Sequence, residues 1–358
     1  MSLSNLLFLF KRPKVVILSG NAKDAAKEAI FQVLNRYFKV GKDIFIVGDD
    51  REAEFFMKKS SMPILVSTRL GEYHPDREFF DGEISQASEM AKLAKKLPAH
   101  GYLILNFDDE TVRDIKNQSS SHPVTFGFGA RADIRATDIV LTQFPALGTN
   151  FKINHSGSIV PIWLEKIFGK DYIYSALAAA AVGEALGLNL VQVSEALKNY
   201  KGLSGKMKLI EGIKKSMILD DSENASSLSM LESLQILKKI EGASRKVAVL
   251  GDIMGIGKYT IEAHEAIGGE IKTSADLLVT VGDRAKFFGQ GAKAKGMADE
   301  KIFQFEDAVS AGKFLQKEIK EGDLILIDGS KEMSMIEIVE ELEAGSMPAR
   351  AEPDRNPR

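Results

Sequence analysis

The sequence predicts an α/β protein of two domains, each built on a mainly parallel sheet. Short β-branched runs alternate with longer segments of helical period, which is the pattern of βαβ units. The alternation restarts after a Gly/Ser connection at residues 202–205. At 358 residues the chain is also too long for one ordinary core. We therefore expect a central parallel-sheet domain followed by a smaller doubly wound, Rossmann-like domain.

The predicted limits follow from these changes in texture. Residues 1–12 form a lead-in segment, 13–203 the central domain and 206–343 the second domain. Residues 345–358 contain three prolines and several charges without apolar periodicity, so a disordered tail is expected.

The composition excludes several classes of function. The 47 basic and 50 acidic residues leave a formal net charge of -3, so no overall field attracts nucleic acid. Cysteine is absent, which excludes disulfides, thiolate metal sites and a cysteine nucleophile and favours a reducing, cytoplasmic location. The apolar run Leu6–Phe10 is too short to span a membrane, and basic residues follow it instead of preceding it, unlike a signal peptide.

The elements of the central domain follow in order. Buried parallel strands are predicted at Val15–Leu18, Asp43–Val47, Ile64–Ser67 and Tyr102–Leu105. Helices are predicted at Ala22–Phe38, Glu52–Lys59, Ile84–Lys96, Tyr172–Leu186 and Leu190–Tyr200, with Gly187 as a C-terminal stop. Between them, a small antiparallel patch is predicted from Thr125–Phe128, Thr137–Thr142, Asn150–Ile153 and Ile159–Trp163.

The second domain repeats the alternation on a new set of strands. These are Met217–Leu219, Val247–Leu250, Leu277–Val281, Ile302–Phe305 and Leu324–Ile327, each followed by a helix.

The turn after the first strand is the first place to look for chemistry, because ligands of parallel sheets sit beyond the carboxyl ends of strands. A phosphate-binding loop in this position uses glycines to expose backbone N–H groups, a lysine for the phosphates and Ser or Thr for Mg²⁺. In the run Ser19 to Lys27, only Lys23 fits this pattern cleanly. The ordinary alternative is a solvated lysine in a first helical turn.

From Val15 to Met335 the chain resembles the central and C-terminal domains of the Mur ligases, and within them those that add D-alanyl-D-alanine to UDP-muramoyl-tripeptide. The resemblance is carried by stretches in the right order: Leu105 to Asp109, Ala176 to Gly183, Gly205-Lys206-Met207, Asp220 to Ala225, Val249 to Asp252, Thr280 to Ala285 and Gly329-Ser330-Lys331. It implies an ATP- and Mg²⁺-dependent, amide-forming ligase of peptidoglycan precursor synthesis. Since about a dozen residues precede the first strand, we expect the family's N-terminal UDP-binding domain to be lacking.

The positions at which this chain differs from the family are those that the family uses for nucleotide and metal binding. The five fixed positions of the family's T-G-x-x-G-K-T loop hold Leu18, Ser19, Ala22, Lys23 and Asp24. We expect the Asp24 carboxylate to occupy the helix N-terminus and repel phosphate. A metal-binding glutamate has no clear counterpart, although Asp49 or Asp50 could substitute.

Further positions are altered as well. Met90 stands where many members carry a carbamylated lysine, and Asp171 and Ser175 stand where the family has its adenine-side histidine and asparagine. Lys206 and Lys331 replace arginines, and lysine lacks the bidentate fork of arginine.

The resemblance nominates a small set of site residues. His74 matches the metal-side histidine, and with Lys206 it is the candidate catalytic pair; a turn-capping histidine is the alternative. A vestigial nucleotide site would use Lys23, Asn21, Asp24, Asp221 and Asn224, and Lys331 would contact a substrate carboxylate or phosphate. Plain Asx turns and helix caps equally explain Asp221 and Asn224. Asp108 and Asp109 are expected to start a helix, and His264 to be structural.

Three hypotheses remain. The favoured one is a Mur-ligase-like protein that no longer turns over and serves as a scaffold for cell-wall precursor enzymes, with ATP and Mg²⁺ weakly bound or not bound. The alternative is an active acid–amino acid ligase with an atypical nucleotide site. A metabolite-binding module on the second domain has the least support.

Overall fold

The computed structural model describes residues 8, 11–20, 23–48, 53–68, 81–109, 114–223 and 225–345, without the side chains of residues 81–87 and 114. The chain forms two compact units. The first contains Met1–Val140, Thr149–Glu165 and Lys170–Gly202, and the second contains Leu141–Gly148, Lys166–Gly169 and Leu203–Arg358. The domain limits 13–203 and 206–343 stay predictions, and the tail from residue 346 lies outside the described residues.

The first sheet is mainly parallel. Its described strands are β1 (Lys14–Ser19), β2 (Ile44–Gly48), β3 (Pro63–Ser67), β4 (Tyr102–Asn106), β5 (His122–Gly127), β6 (Ile134–Thr142), β7 (Gly148–His155) and β8 (Ser158–Glu165). They follow the order β2-β1-β3-β4-β5-β6-β7-β8, with parallel pairing from β2 through β6. Strand β3 is buried along its whole length, as expected of a central strand with both faces covered.

Five described helices accompany this sheet: α1 (Lys23–Tyr37), α2 (Ala53–Lys59), α3 (Asp81–Lys96), α4 (Lys170–Ala185) and α5 (Leu190–Leu197). Helix α4 is buried around most of its surface, because its alanines allow other elements to approach closely. Gly187 follows α4 with a φ of +88° and ends it as predicted.

The predicted antiparallel patch is not a separate structure. Its segments continue the first sheet, and β6 begins by pairing with β5 in parallel through Phe126 and Ile134. Strands β7 and β8 are then joined by only Ser156 and Gly157, a connection that requires an antiparallel pair. Both residues have positive φ, at 48° and 79°, as the turn of a tight hairpin needs. The turn residues in the sequence predict that hairpins form, but they do not indicate that these hairpins extend the first sheet.

The second sheet has the doubly wound layout expected from the sequence, with one additional strand. Its strands are β9 (Lys208–Glu211), β10 (Met217–Asp221), β11 (Arg245–Gly251), β12 (Leu277–Val281), β13 (Ile302–Phe305) and β14 (Asp323–Asp328). The order is β13-β12-β11-β14-β10-β9, and all pairs are parallel except β9 with β10. Strand β9 was not predicted because it is only four residues long and its two apolar residues, Leu209 and Ile210, are adjacent instead of alternating with polar ones.

The described part of this unit contains five helices: α6 (Ser227–Lys239), α7 (Thr260–Ser274), α8 (Lys286–Ala294), α9 (Ala308–Glu318) and α10 (Ile336–Leu342). Strands β10, β11, β12 and β14 end together at the carboxyl edge of the sheet, where Asp221, Gly251 and Asp328 lie. The mixed α/β fold class with two mainly parallel sheets is thus confirmed. Among the described residues, no helix is long and apolar enough to cross a membrane.

Candidate functional site

The turn after β1 keeps the strand–turn–helix form of a phosphate loop. Leu18 and Ser19 are buried at the end of β1, and Gly20 has a φ of +117°. The carbonyl oxygen of Ser19 accepts hydrogen bonds from the backbone N (2.9 Å) and Oγ1 (3.0 Å) of Thr68, just after β3. The end of β1 is therefore fixed from its neighbouring strand. Asn21 and Ala22 lie outside the described residues.

Lys23 and Asp24 open helix α1. Lys23 is half-buried, and its backbone N–H points to the Gly20 carbonyl at 3.4 Å. Asp24 is exposed, and within the described chain nothing donates a hydrogen bond to its carboxylate. No contact among the described residues thus supports the expectation that the Asp24 carboxylate occupies the N-terminus of α1. Its effect on an anion comes through charge, and solvent screening reduces that effect.

Several predicted site residues cannot be placed. His74, Asn224, Asp49 and Asp50 lie outside the described residues. Among the residues that are described, no group of three or more His, Asp or Glu side chains could hold a metal ion.

Met90 is a core residue. Its side chain has no exposed surface and belongs to the apolar cluster that contains Val15, Leu65 and Leu103. A carbamylated lysine, which is negatively charged, does not suit such surroundings.

The side chain of Ser175, in the second turn of α4, is also buried and not accessible to a ligand. Ser175 is 1% exposed, and its hydroxyl donates to the Asp171 carbonyl oxygen at 2.7 Å. A hydroxyl held by the preceding turn of its own helix is not directed at a ligand.

Asp108 has a role that sequence reasoning missed. Its carboxylate accepts from the backbone N–H groups of Phe128 and Gly129 and from the Tyr174 hydroxyl. A Cβ on Gly127 would come within 2.6 Å of this carboxylate, so glycine is required there. Residues 110–113 lie outside the described residues, so the expected helix start at Asp108 and Asp109 stays a prediction; the described partners of Asp108 are distant in sequence.

Two buried carboxylates build the turn that carries Lys206. Asp220 Oδ2 accepts from Gly205 N at 2.7 Å, and Asp221 Oδ1 accepts from Met207 N at 3.1 Å. Asp220 also accepts from the backbone and hydroxyl of Ser222, forming an Asx turn. Both aspartates are 1% exposed. Gly205 supplies a φ of +72°, which glycine adopts without strain, whereas Met207 is strained at a φ of +41°. These hydrogen bonds hold the turn.

Lys331 and Ser226 both have partners within the second unit. Lys331 lies 3.7 Å from Glu223, and both side chains are at least 36% exposed, so this pair contributes little. Ser226 caps helix α6 through a reciprocal pair with Ser229.

His264 lies in the core of the second unit. Its Nδ1 donates to the Thr260 carbonyl oxygen at 2.6 Å, and its Nε2 accepts from Ile253 N at 3.2 Å. Burial lowers the pKa of His264. A neutral ring with both nitrogens engaged is structural.

Two stretches that carry the family resemblance, Val249 to Asp252 and Thr280 to Ala285, are joined through the Asp252 carboxylate. Asp252, after β11, accepts from the backbone N–H groups of Arg284 (3.0 Å) and Ala285 (2.6 Å) at the start of α8. The N-terminus of α8 is therefore occupied by the carboxylate of Asp252.

Asp328, at the end of β14, was not predicted. It has no exposed surface, and within the described residues neither carboxylate oxygen has a hydrogen-bond partner. Burial, and then the charge of Asp221, raise the pKa of Asp328 well above its ordinary value. An acid following a strand is common in sequences, so only the three-dimensional surroundings single it out.

These features define a two-unit α/β protein with a phosphate-loop-type turn in one unit and a carboxylate-rich sheet edge in the other. Two family models match it, the Mur ligase middle domain over residues 28–183 and the Mur ligase glutamate ligase domain over residues 205–331. The chain belongs to the Mur ligase family, which confirms the resemblance inferred from the sequence.

Within that family the chain is MurF-like. It is 26% identical over 292 residues to the UDP-N-acetylmuramoyl-tripeptide–D-alanyl-D-alanine ligase of Bacillus subtilis, covering 81% of this chain and 61% of that protein. The Escherichia coli protein of the same name is 28% identical over 272 residues, covering 74% and 57%. The chain thus spans about 60% of the length of these curated relatives.

Solved structures share the fold. MurF from Acinetobacter baumannii superposes with a TM-score of 0.77 at 20% identity, covering 94% of this chain and 78% of that one. MurF from Thermotoga maritima, solved in complex with ADP, gives 0.72 at 17% identity, covering 94% and 81%.

Proposed function

We propose that this Mur ligase family member has lost or weakened ATP-dependent catalysis and works as a binding or scaffolding partner of peptidoglycan precursor enzymes. The observation that carries the proposal is the exposed carboxylate of Asp24 in the first turn of α1. That turn is where a phosphate-binding loop directs N–H groups and positive charge at the nucleotide. The residues present therefore do not fit Mg-ATP well.

The size of the effect follows from Coulomb's law. Two unit charges about 4 Å apart repel by about 1 kcal/mol in water and about 4 kcal/mol near a protein surface. Because Asp24 is exposed, the lower value applies, and it corresponds to a several-fold loss of affinity. Ser19, in place of a motif glycine, adds a conformational restriction, since glycine reaches backbone conformations that serine avoids.

Other positions support the same proposal. Met90 is enclosed by apolar side chains where many members carry a carbamylated lysine, and Ser175 is held by its own helix where the family has an adenine-side asparagine. Each departure falls on a position that serves the nucleotide or its metal.

The proposed setting comes from the relatives. Those named above act on UDP-N-acetylmuramoyl-tripeptide, so partners are sought among enzymes of that synthesis. A chain without cysteine suits a reducing compartment, and we place this role in the cytoplasm.

An active acid–amino acid ligase with an atypical nucleotide site is the second candidate. One observation favours it: the turn with Lys206 is held by the buried Asp220 and Asp221 despite its strained backbone. In this alternative Lys23, Lys206 and Lys331 would contact phosphate or carboxylate groups, His74 would lie beside the metal and Asp221 beside the ribose.

Calorimetric titration of the whole protein with Mg-ATP separates the two. The scaffold proposal expects no saturable heat at millimolar nucleotide and no amino-acid-dependent release of phosphate. Saturable binding together with such release would overturn it and establish the ligase. A parallel thermal-shift series should move the melting temperature by less than about 1 °C, because a ligand at 100 times its Kd stabilises by about 2.7 kcal/mol, a shift of several degrees.

A further inference from the structure

Asp328 is a buried carboxyl group that has no hydrogen-bond donor among the described residues. It ends strand β14 with no exposed surface, and among the described residues neither of its oxygens has a hydrogen-bond partner. A buried carboxylate normally requires donors or a cation, because leaving it bare costs several kcal/mol. The side chain must therefore be neutral or share a proton.

The neighbours of Asp328 are known on each side. On β10 the residue in register is Asp221, and on β11 it is Leu250. Residues in register on adjacent strands lie about 4.8 Å apart with side chains on the same face. Asp221 is therefore the charged group that Asp328 faces within the sheet.

The helix over this face supplies a hydroxyl that is already engaged. Ser233 of α6 lies 2.8 Å from Asp221 Oδ2 and 2.9 Å from the Ser229 carbonyl oxygen. The Ser233 hydroxyl opposes the rise in the pKa of Asp328, as the weakest of the three influences on it. Its single hydrogen is shared between the Asp221 and Ser229 acceptors, and neither Asp328 oxygen has hydrogen-bonding geometry with it. A protonated Asp328, by contrast, has one donor, and the carboxylate beside it is an acceptor.

Asp221 links this pair to the turn with Lys206. Its Oδ1 accepts from Met207 N at 3.1 Å, and Met207 has the strained φ of +41°. The Asp221 carboxylate therefore holds the Met207 end of the turn, while Asp220 holds the Gly205 end.

We propose that Asp328 is a positioning residue that keeps its proton in the folded protein and shares it with Asp221, so that the pair fixes the turn presenting Lys206. This pairing does not depend on whether the protein turns over a nucleotide. The negative charge of the pair is then one instead of two, and the shared hydrogen orients Asp221 toward Met207.

The first test is spectroscopic and uses the whole protein with ¹³C-labelled aspartate. At neutral pH one carboxyl carbon should have the chemical shift of a protonated acid, and this signal should vanish in Asp328→Asn. The Met207 amide should shift with the same pH midpoint in the parent and be independent of pH over that range in Asp328→Asn. Ordinary carboxylate shifts for every aspartate at neutral pH would overturn the proposal, as would a Met207 amide that ignores this titration.

Thermal unfolding supplies the second test. A pKa raised by folding gives stability that is complete below the unfolded pKa and is lost as pH rises through the folded pKa. The asparagine side chain cannot ionise, so the melting temperature of Asp328→Asn relative to the parent should increase with pH. Asp323→Asn, on the same strand, is the matched control: it removes the charge paired with Arg245 and should lower the melting temperature at every pH near neutrality. An Asp328→Asn melting difference that is flat or falls with rising pH would contradict the proposal.

Discussion

Arg245 and Asp323 lie in register on β11 and β14 and form a two-point ion pair. Arg245 Nη2 is 2.7 Å from Asp323 Oδ2, and Nε is 3.2 Å from Oδ1. Glu318 adds a contact of 2.7 Å to Nη1. Strand β14 thus begins with Asp323, a buried aspartate whose charge is paired, and ends with Asp328, whose oxygens have no hydrogen-bond partner among the described residues.

Asp323→Asn should destabilise the protein by about 2 kcal/mol, since it removes one partner of a mostly buried pair while Glu318 still faces Arg245. Urea unfolding measures this. The control is Lys215→Ala, which breaks an ion pair with Glu321 whose side chains are 79% and 69% exposed. That change should cost less than about 0.5 kcal/mol. Equal losses for the two variants would show that burial does not set the strength of these pairs.

Helices α7 and α8 cross with no room for a side chain at two glycines. A Cβ on Gly268 would lie 2.2 Å from the Phe288 carbonyl oxygen, and one on Gly291 would lie 2.0 Å from that of Glu265. Gly268→Ala should therefore cost about 1–3 kcal/mol or more, because backbone must move. Gly269→Ala is the neighbouring control: its Cβ would meet only the Lys295 side chain at 3.4 Å, and it should gain about 0.5–1 kcal/mol. Melting temperatures of the pair should move in opposite directions.

Met90→Lys tests whether this position can hold the lysine found in many family members. Since Met90 lies among apolar side chains, a charged lysine should cost about 3 kcal/mol or more. Glu89→Lys places the same side chain at the adjacent exposed position and should change the free energy of unfolding by less than about 0.5 kcal/mol. A Met90→Lys protein as stable as its control would show that this region opens readily enough to admit a charge.

The triple change Ser19→Gly, Ala22→Gly and Asp24→Thr should create measurable Mg-ATP binding in calorimetry. It restores glycines at two loop positions and removes the carboxylate from the first turn of α1. Asp24→Thr alone should contribute about 1 kcal/mol of binding free energy, the repulsion expected for an exposed charge. Glu28→Gln, one turn further along α1, removes an equal charge and should leave binding unchanged. A triple variant without nucleotide binding would move the defect to Asp171, Ser175 and the metal positions.

A fragment beginning at Leu203 should fold alone, because the buried apolar cluster of the second unit lies within residues 218–342. The fragment lacks only the short segments 141–148 and 166–169 of that unit. The start matters, because Gly205 N and Met207 N satisfy the buried Asp220 and Asp221. A fragment beginning at Met207 lacks the Gly205 donor and should melt several degrees lower by circular dichroism. Equal melting of the two fragments would show that the Gly205 contact is dispensable.

The sequence by itself determined the fold class, most strand and helix positions and the family. These depend on apolar periodicity and on motifs that are local in the chain, and β1, β3, β4 and the parallel strands of the second sheet were found for that reason. The sequence also identified the altered loop around Asp24, because a loop motif consists of residues that are adjacent in the chain.

Only the tertiary structure decided what the acidic residues do. Asp108 and Asp328 look alike in the sequence, each following a buried strand. Asp108 meets two backbone N–H groups from a distant loop, whereas Asp328 meets another carboxyl group and no donor among the described residues. The state of a carboxyl group depends on the donors and charges within a few ångströms, and those come from chain segments whose proximity no local pattern records.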